Sequence, residues 1–193
     1  MQTQDFAKFV ESQQESSEEV QVDWAAIRDE WLSRLESLYS QVLEFLKDFI
    51  AAGSIQCSFT DVGLNEENIG TYSARRMNIR IGRQYIYLEP VGTLLIGFAG
   101  RVDAVGPGGR RAQIALVDKR ANSVADLVKV TVGAKPDTAP IKVNMGVGPA
   151  APSSPIEQPI SLVWKIVSRD ARRTFIDLDR DSFYELLMEL AGA

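Results

Sequence analysis

Four arginines, Arg75, Arg76, Arg80 and Arg83, crowd one short stretch and are followed at once by Tyr85 and Tyr87. Guanidinium forks and tyrosine rings recognise phosphates, carboxylates and bases, and they are enriched where one protein grips another. Arg110 and Arg111 open a later stretch of similar character. These eight residues form the candidate binding set. They belong to the basic part of a charge-divided chain. Residues 1–70 carry 14 acidic and 4 basic side chains, net −10, whereas residues 71–168 carry 6 and 13, net +7. Residues 169–193 carry 6 and 4, which brings the whole to −5. Such sorting lets the acidic front neutralise the basic body, or leaves that body for a charged partner.

Other chemistries are poorly supplied. The chain has no histidine, which removes the commonest general base and the Ser-His and Cys-His nucleophile pairs. Cys57 is the only cysteine, so no internal disulfide forms and an N/S-ligated metal site has no ligands; no cofactor is expected. In a strand-like run, a lone thiol reads as a small buried group. The glycine-rich Gly106-Pro107-Gly108-Gly109-Arg110-Arg111 lacks the Lys-Ser or Lys-Thr of a phosphate-binding loop and joins two strands. Gly146-Val147-Gly148-Pro149-Ala150-Ala151 fits G-x-G-x-x-A but leads into prolines, where no helix can begin. Asp177, Asp179 and Asp181 open like a calcium loop, yet Ser182 stands where glycine is needed and Met188 where a bidentate glutamate belongs. Gly97-Phe98-Ala99 shares three positions with an RNA-recognition motif, but its flanks and its strand-rich context differ. Glu89 and Asp103 leave a carboxylate-only enzyme formally open, with no motif around them.

The elements that must position the arginines are legible from periodicity. Trp24, Ile27, Trp31, Leu35, Leu38, Val42, Phe45 and Phe49 recur at steps of three and four, the period of a long amphipathic helix over 24–52. Asp23 caps its start, Val22 and Ile27 form a hydrophobic staple, and Gly53 ends it. Leu32, Tyr39, Leu43, Leu46 and Ile50 widen the stripe, which predicts packing on a core; a homodimer through this helix is a further expectation. Ahead of it, Phe6, Phe9 and Val10 precede an acidic connector. From residue 54 the period becomes two. Strands are predicted at 54–60, 77–81, 85–88, 91–105, 110–118, 127–132 and 160–167, with Gly82-Arg83 as a tight hairpin turn. Gly97 and Gly100 predict a bulge or a close backbone approach. The Pro/Gly-rich stretch 133–159 reads as an insertion, with 141–145 as an edge strand or, alternatively, the whole as a flexible tether. A hairpin through Thr174 and Asp177 leads to a helix over 180–190, capped by Asp179.

The reading is α+β: a twisted, meander-like antiparallel sheet of about six or seven strands, covered on one face by a long N-terminal and a short C-terminal helix. Residues 1–53 form the helical segment and 54–193 the body of one domain. The N-terminus lacks the basic start and apolar core of a signal peptide, and no apolar run approaches the ~20 residues of a membrane helix. A cytoplasmic, non-enzymatic interaction protein is therefore expected. Its partner is expected to be another protein, with nucleic acid or a phosphorylated ligand as the alternative use of the same face. A carboxylate enzyme stands third, and no membrane is involved.

Overall fold

The Asp23 side chain accepts the Ala26 N–H at 2.9 Å and starts helix α1 (Trp24–Ala51), about 42 Å long at 1.5 Å per residue. Its stripe of Trp31, Leu35, Leu38, Tyr39, Val42 and Leu46 is buried. Gly53, at φ +71°, turns the chain out of the helix. The computed structural model describes residues 22–93, 98–127 and 161–192. Seven strands follow: β1 (Ile55–Glu66), β2 (Gly70–Ile81), β3 (Gln84–Gly92), β4 (Gly100–Val105), β5 (Arg111–Asp118), β6 (Leu162–Val167) and β7 (Phe175–Asp177), and then α2 (Arg180–Ala191). They pair in chain order, each antiparallel to the next. The protein is thus an α+β meander with a long N-terminal and a short C-terminal helix.

Both helices lie on one face of the sheet. Met77, Ile79, Ile86, Leu88, Val102, Ala104, Ile114, Leu116, Trp164 and Ile166 form one buried cluster with the α1 stripe and with Phe183, Leu186, Leu187 and Leu190 of α2. Trp31 meets Trp164 with ring centroids 6.0 Å apart, and Phe45 meets Phe183 at the same distance. Asp179 and Ser182 exchange a capping box, Ser182 N–H donating to Asp179 Oδ1 at 2.9 Å and Asp179 N–H to Ser182 Oγ at 3.0 Å. On the opposite face a smaller cluster of Phe98, Ala115, Val117 and Val167, flanked by Val124, Leu127 and Phe175, covers the β5–β7 end. The β1–β4 end of that face carries the polar side chains.

Three expectations change. The β1–β2 hairpin has two strands of 12 residues, of which only the inner parts, 54–60 and 77–81, alternate clearly in the sequence. β3 pairs with β2 only from Met77 to Ile81. Beyond that point the inward residues switch from Met77 and Ile79 to Tyr72 and Ala74 with no slip in pairing, as a two-stranded ribbon with unconstrained twist allows. Second, 91–105 is not one strand. β3 ends at Gly92 and β4 begins at Gly100, with a register shift between Pro90 and Gly92. Third, Leu127 closes a 3₁₀ turn, Val124–Leu127, instead of opening a strand. The expectations for the N-terminal arm 1–21, the strand positions 128–132, the insertion 133–159 and the edge strand 141–145 lie outside the described residues.

Candidate binding face

The Gly82-Arg83 turn joins β2 to β3 and sets Arg80 opposite Tyr85 and Asn78 opposite Tyr87. Alternation sends Arg76, Asn78, Arg80, Tyr85 and Tyr87 to the face away from the helices, because Met77, Ile79, Ile86 and Leu88 between them face the core. The Arg76 guanidinium lies 4.8 Å from the centroid of the Tyr87 ring, and its Nε donates to Asn78 Oδ1 at 3.2 Å. Asn78 Nδ2 in turn donates to Thr60 Oγ1 at 2.9 Å and Ser58 Oγ at 3.4 Å. This network stiffens the inner part of the face and leaves its tip open. Tyr85 is 48% exposed, Arg80 and Arg83 are exposed, and neither arginine has a hydrogen bond or ion pair among the described residues.

The face continues onto β4 and β5. Glu89 is opposite Asp103, Asp103 is opposite Gln113, and Val105 is opposite Arg111. Arg101 Nε stands 3.0 Å from Asp103 Oδ1, an ion pair whose angle falls short of a hydrogen bond. Arg111 reaches Asp103 Oδ2 at 3.8 Å, and its carbonyl accepts from Arg169. Arg173 donates to Gln113 Oε1 at 2.5 Å. The two carboxylates weighed for catalysis are therefore cross-strand neighbours, and Asp103 is already held by two guanidinium groups.

Arg75 and Arg110 stand apart from this face. Arg75 reaches the helix side, as its contacts show: it lies over the Phe59 ring at 4.5 Å and forms a bidentate pair with Glu36 of α1, Nε to Oε1 at 2.8 Å. The bond to Glu36 raises its pKa further. Arg110 is packed against Gly192: a Cβ on that glycine would come within 2.0 Å of the arginine Nη1. A cation at the carboxyl end of α2 faces the negative pole of the helix dipole. Of the eight sequence candidates, Arg76, Arg80, Arg83, Tyr85, Tyr87 and Arg111 gather on or beside the open face. Asn78, Thr60, Arg101 and Asp103 complete it; their parity relative to Arg76 and Arg80 is the signal that finds Asn78.

A cleft of about 360 Å³ lies on the helix side, lined by Arg34, Gln41, Lys119, Trp164, Asp177 and Leu178 among others. Three of its polar groups are tied into the fold: Arg34 pairs with Glu30 at 2.7 Å, Gln41 Nε2 donates to Leu178 O at 3.1 Å, and Asp177 forms an ion pair with Lys165 at 3.2 Å. Among the described residues no three acidic or cysteine side chains gather as a metal site requires, and no helix is long and apolar enough to cross a membrane. The sequence matches no family model, and neither a curated protein nor a solved structure matches it.

Proposed function

We propose that this is a non-enzymatic, cytoplasmic binding protein whose β2–β3 hairpin takes an acidic segment of a protein partner. One observation carries the reading: Arg80 and Arg83 flank the exposed Tyr85 and have no internal partner among the described residues, whereas Arg75, Arg76, Arg101, Arg111, Arg169 and Arg173 are engaged. A long cationic side chain left open beside an exposed ring is the composition of a protein hot spot. The Arg76–Tyr87 stack behind it supplies a rigid base, which reduces the ordering cost on binding. The α1 stripe considered for helix pairing is buried on the sheet, so the hairpin is the better-supported surface. A cytoplasmic setting agrees with the lone cysteine but does not require it.

The reading is tested by charge reversal. Affinity capture from the native host's lysate with the wild type should recover a partner that Arg80→Glu/Arg83→Glu loses, and a labelled oligoglutamate peptide should bind the wild type about tenfold more tightly at low salt. Equal recovery and equal peptide binding by both proteins would remove the hairpin from the argument. If single-stranded oligonucleotides are retarded instead, with a shift that weakens as salt rises, the same face reads nucleic acid.

A further inference from the structure

β1 is, among the described residues, a long edge strand with few of the devices that ordinarily protect one. Among the described residues it pairs only with β2, over all 12 positions and without a register slip. It contains no proline, lysine or arginine, whereas exposed edges are usually blunted by such residues, by bulges or by brevity. β7, at the other edge, is three residues long. Cys57, Phe59, Val62 and Leu64 of β1 are only half-buried. An added strand would pair the outward N–H and C=O groups and cover these side chains.

We propose that a second copy of the chain supplies that strand. The two β1 strands run antiparallel about a twofold axis normal to the sheet, with Thr60 of the two copies facing each other. Charge selects this register. Asp61 and Glu66 are the only charged residues of β1. Centring the axis on Asp61 would set two carboxylates face to face, which is destabilising. Centring it on Thr60 puts Asp61 of each copy opposite Phe59 of the other, on the helix side of the sheet. The Phe59 ring carries the Arg75 guanidinium, which already pairs with Glu36 and faces Asp61 of its own copy. The partner's Asp61 therefore joins a shared ion network there instead of meeting a second carboxylate alone, twice by symmetry. Centring on Phe59 would move Asp61 opposite the partner's Cys57 and away from the partner's Arg75, leaving it only the Arg75 of its own copy. On the other face the row is Gln56, Ser58 and Thr60, uncharged side chains that permit close approach.

Sedimentation equilibrium on the full chain tests the pairing. The wild type is expected at twice the chain mass. Ser58→Lys/Thr60→Lys, at two exposed positions, should dissociate about tenfold or more readily while keeping the wild-type circular dichroism. Cys57→Ser/Thr60→Cys should form a covalent dimer on mild oxidation. A wild type that is monomeric at its highest soluble concentration overturns the proposal, as does a dimer that persists unweakened in the double-lysine variant. So does a Thr60→Cys protein that stays uncrosslinked. Arg80→Glu/Arg83→Glu should remain dimeric, which separates a failure of the hairpin's partner binding from a failure of this interface. The double-lysine variant is read by its mass and not by partner binding, because Ser58 and Thr60 also accept hydrogen bonds from Asn78 on the binding face.

Discussion

Lys165 brings a charge into the sheet, where two backbone carbonyls and a carboxylate meet it. Its side chain is 7% exposed, and Nζ reaches Lys119 O and Ala121 O, both at 3.1 Å, and Asp177 Oδ1 at 3.2 Å. The ammonium thereby fastens the segment after β5 against β6. Lys165→Met keeps the volume but leaves two carbonyls without their donor, and should cost about 2–3 kcal/mol in urea denaturation. Asp177→Asn should cost less than about 1 kcal/mol, since that carboxylate is 82% exposed. Equal losses from the two variants would show that the ion pair, and not the carbonyls, holds the segment. The same distinction explains how far the binding face was legible at this scale. The cluster of arginines and tyrosines stands out in the sequence, and strand parity alone separates Arg76 and Arg80 from Arg75. That Arg75 is neutralised was not legible, because Glu36 lies 39 residues earlier and only the crossing of α1 over the sheet brings it near.

At the level of elements, α1 reaches the middle of the sheet only because β4 begins with a glycine. A Cβ on Gly100 would stand 2.3 Å from Trp31 Cζ3 and 2.6 Å from its Cε3, so the indole rests directly on the strand backbone. Gly100→Ala should destabilise the fold by about 1–3 kcal/mol through overpacking. In a Trp31→Leu background the same substitution should cost distinctly less, a coupling that a double-mutant cycle in urea would measure. Additive losses would mean that the alanine acts on the strand and not on the helix contact. The sequence expectation of a close backbone approach at Gly100 is met here, as are both helix caps and the Gly82-Arg83 turn. These features are written in local residue types. The outer part of the β1–β2 hairpin was not legible, because its inward side changes where β3 leaves and simple alternation fails there. The break between β3 and β4 was hidden by a continuous apolar run, which reads as one strand until pairing partners are known.

The whole molecule has a pH response that follows from its acids, since it has no histidine. Asp126 is held below the usual carboxylate range by the backbone N–H groups of Asn122 and Ser123, Asp170 first by the Ser168 hydroxyl, and Asp179 by the Ser182 N–H. Each of these groups has a folded pKa below its unfolded value. Their stabilisation is therefore complete above the unfolded value and is lost as the pH falls through the folded one, because the unfolded chain takes up protons first. Stability should be flat between about pH 5 and 8, where none of these groups titrates, and should decline below about pH 4. Urea midpoints measured across this range would show a plateau and an acid slope. Asp179→Asn retains a capping oxygen but cannot titrate, so it should flatten part of the acid slope while the plateau keeps its shape. Glu44, lowered first by its hydrogen bond from Lys47, adds to the same slope. A step near pH 6.5, or stability that rises on acidification, would contradict the assignment of the acid response to these carboxylates.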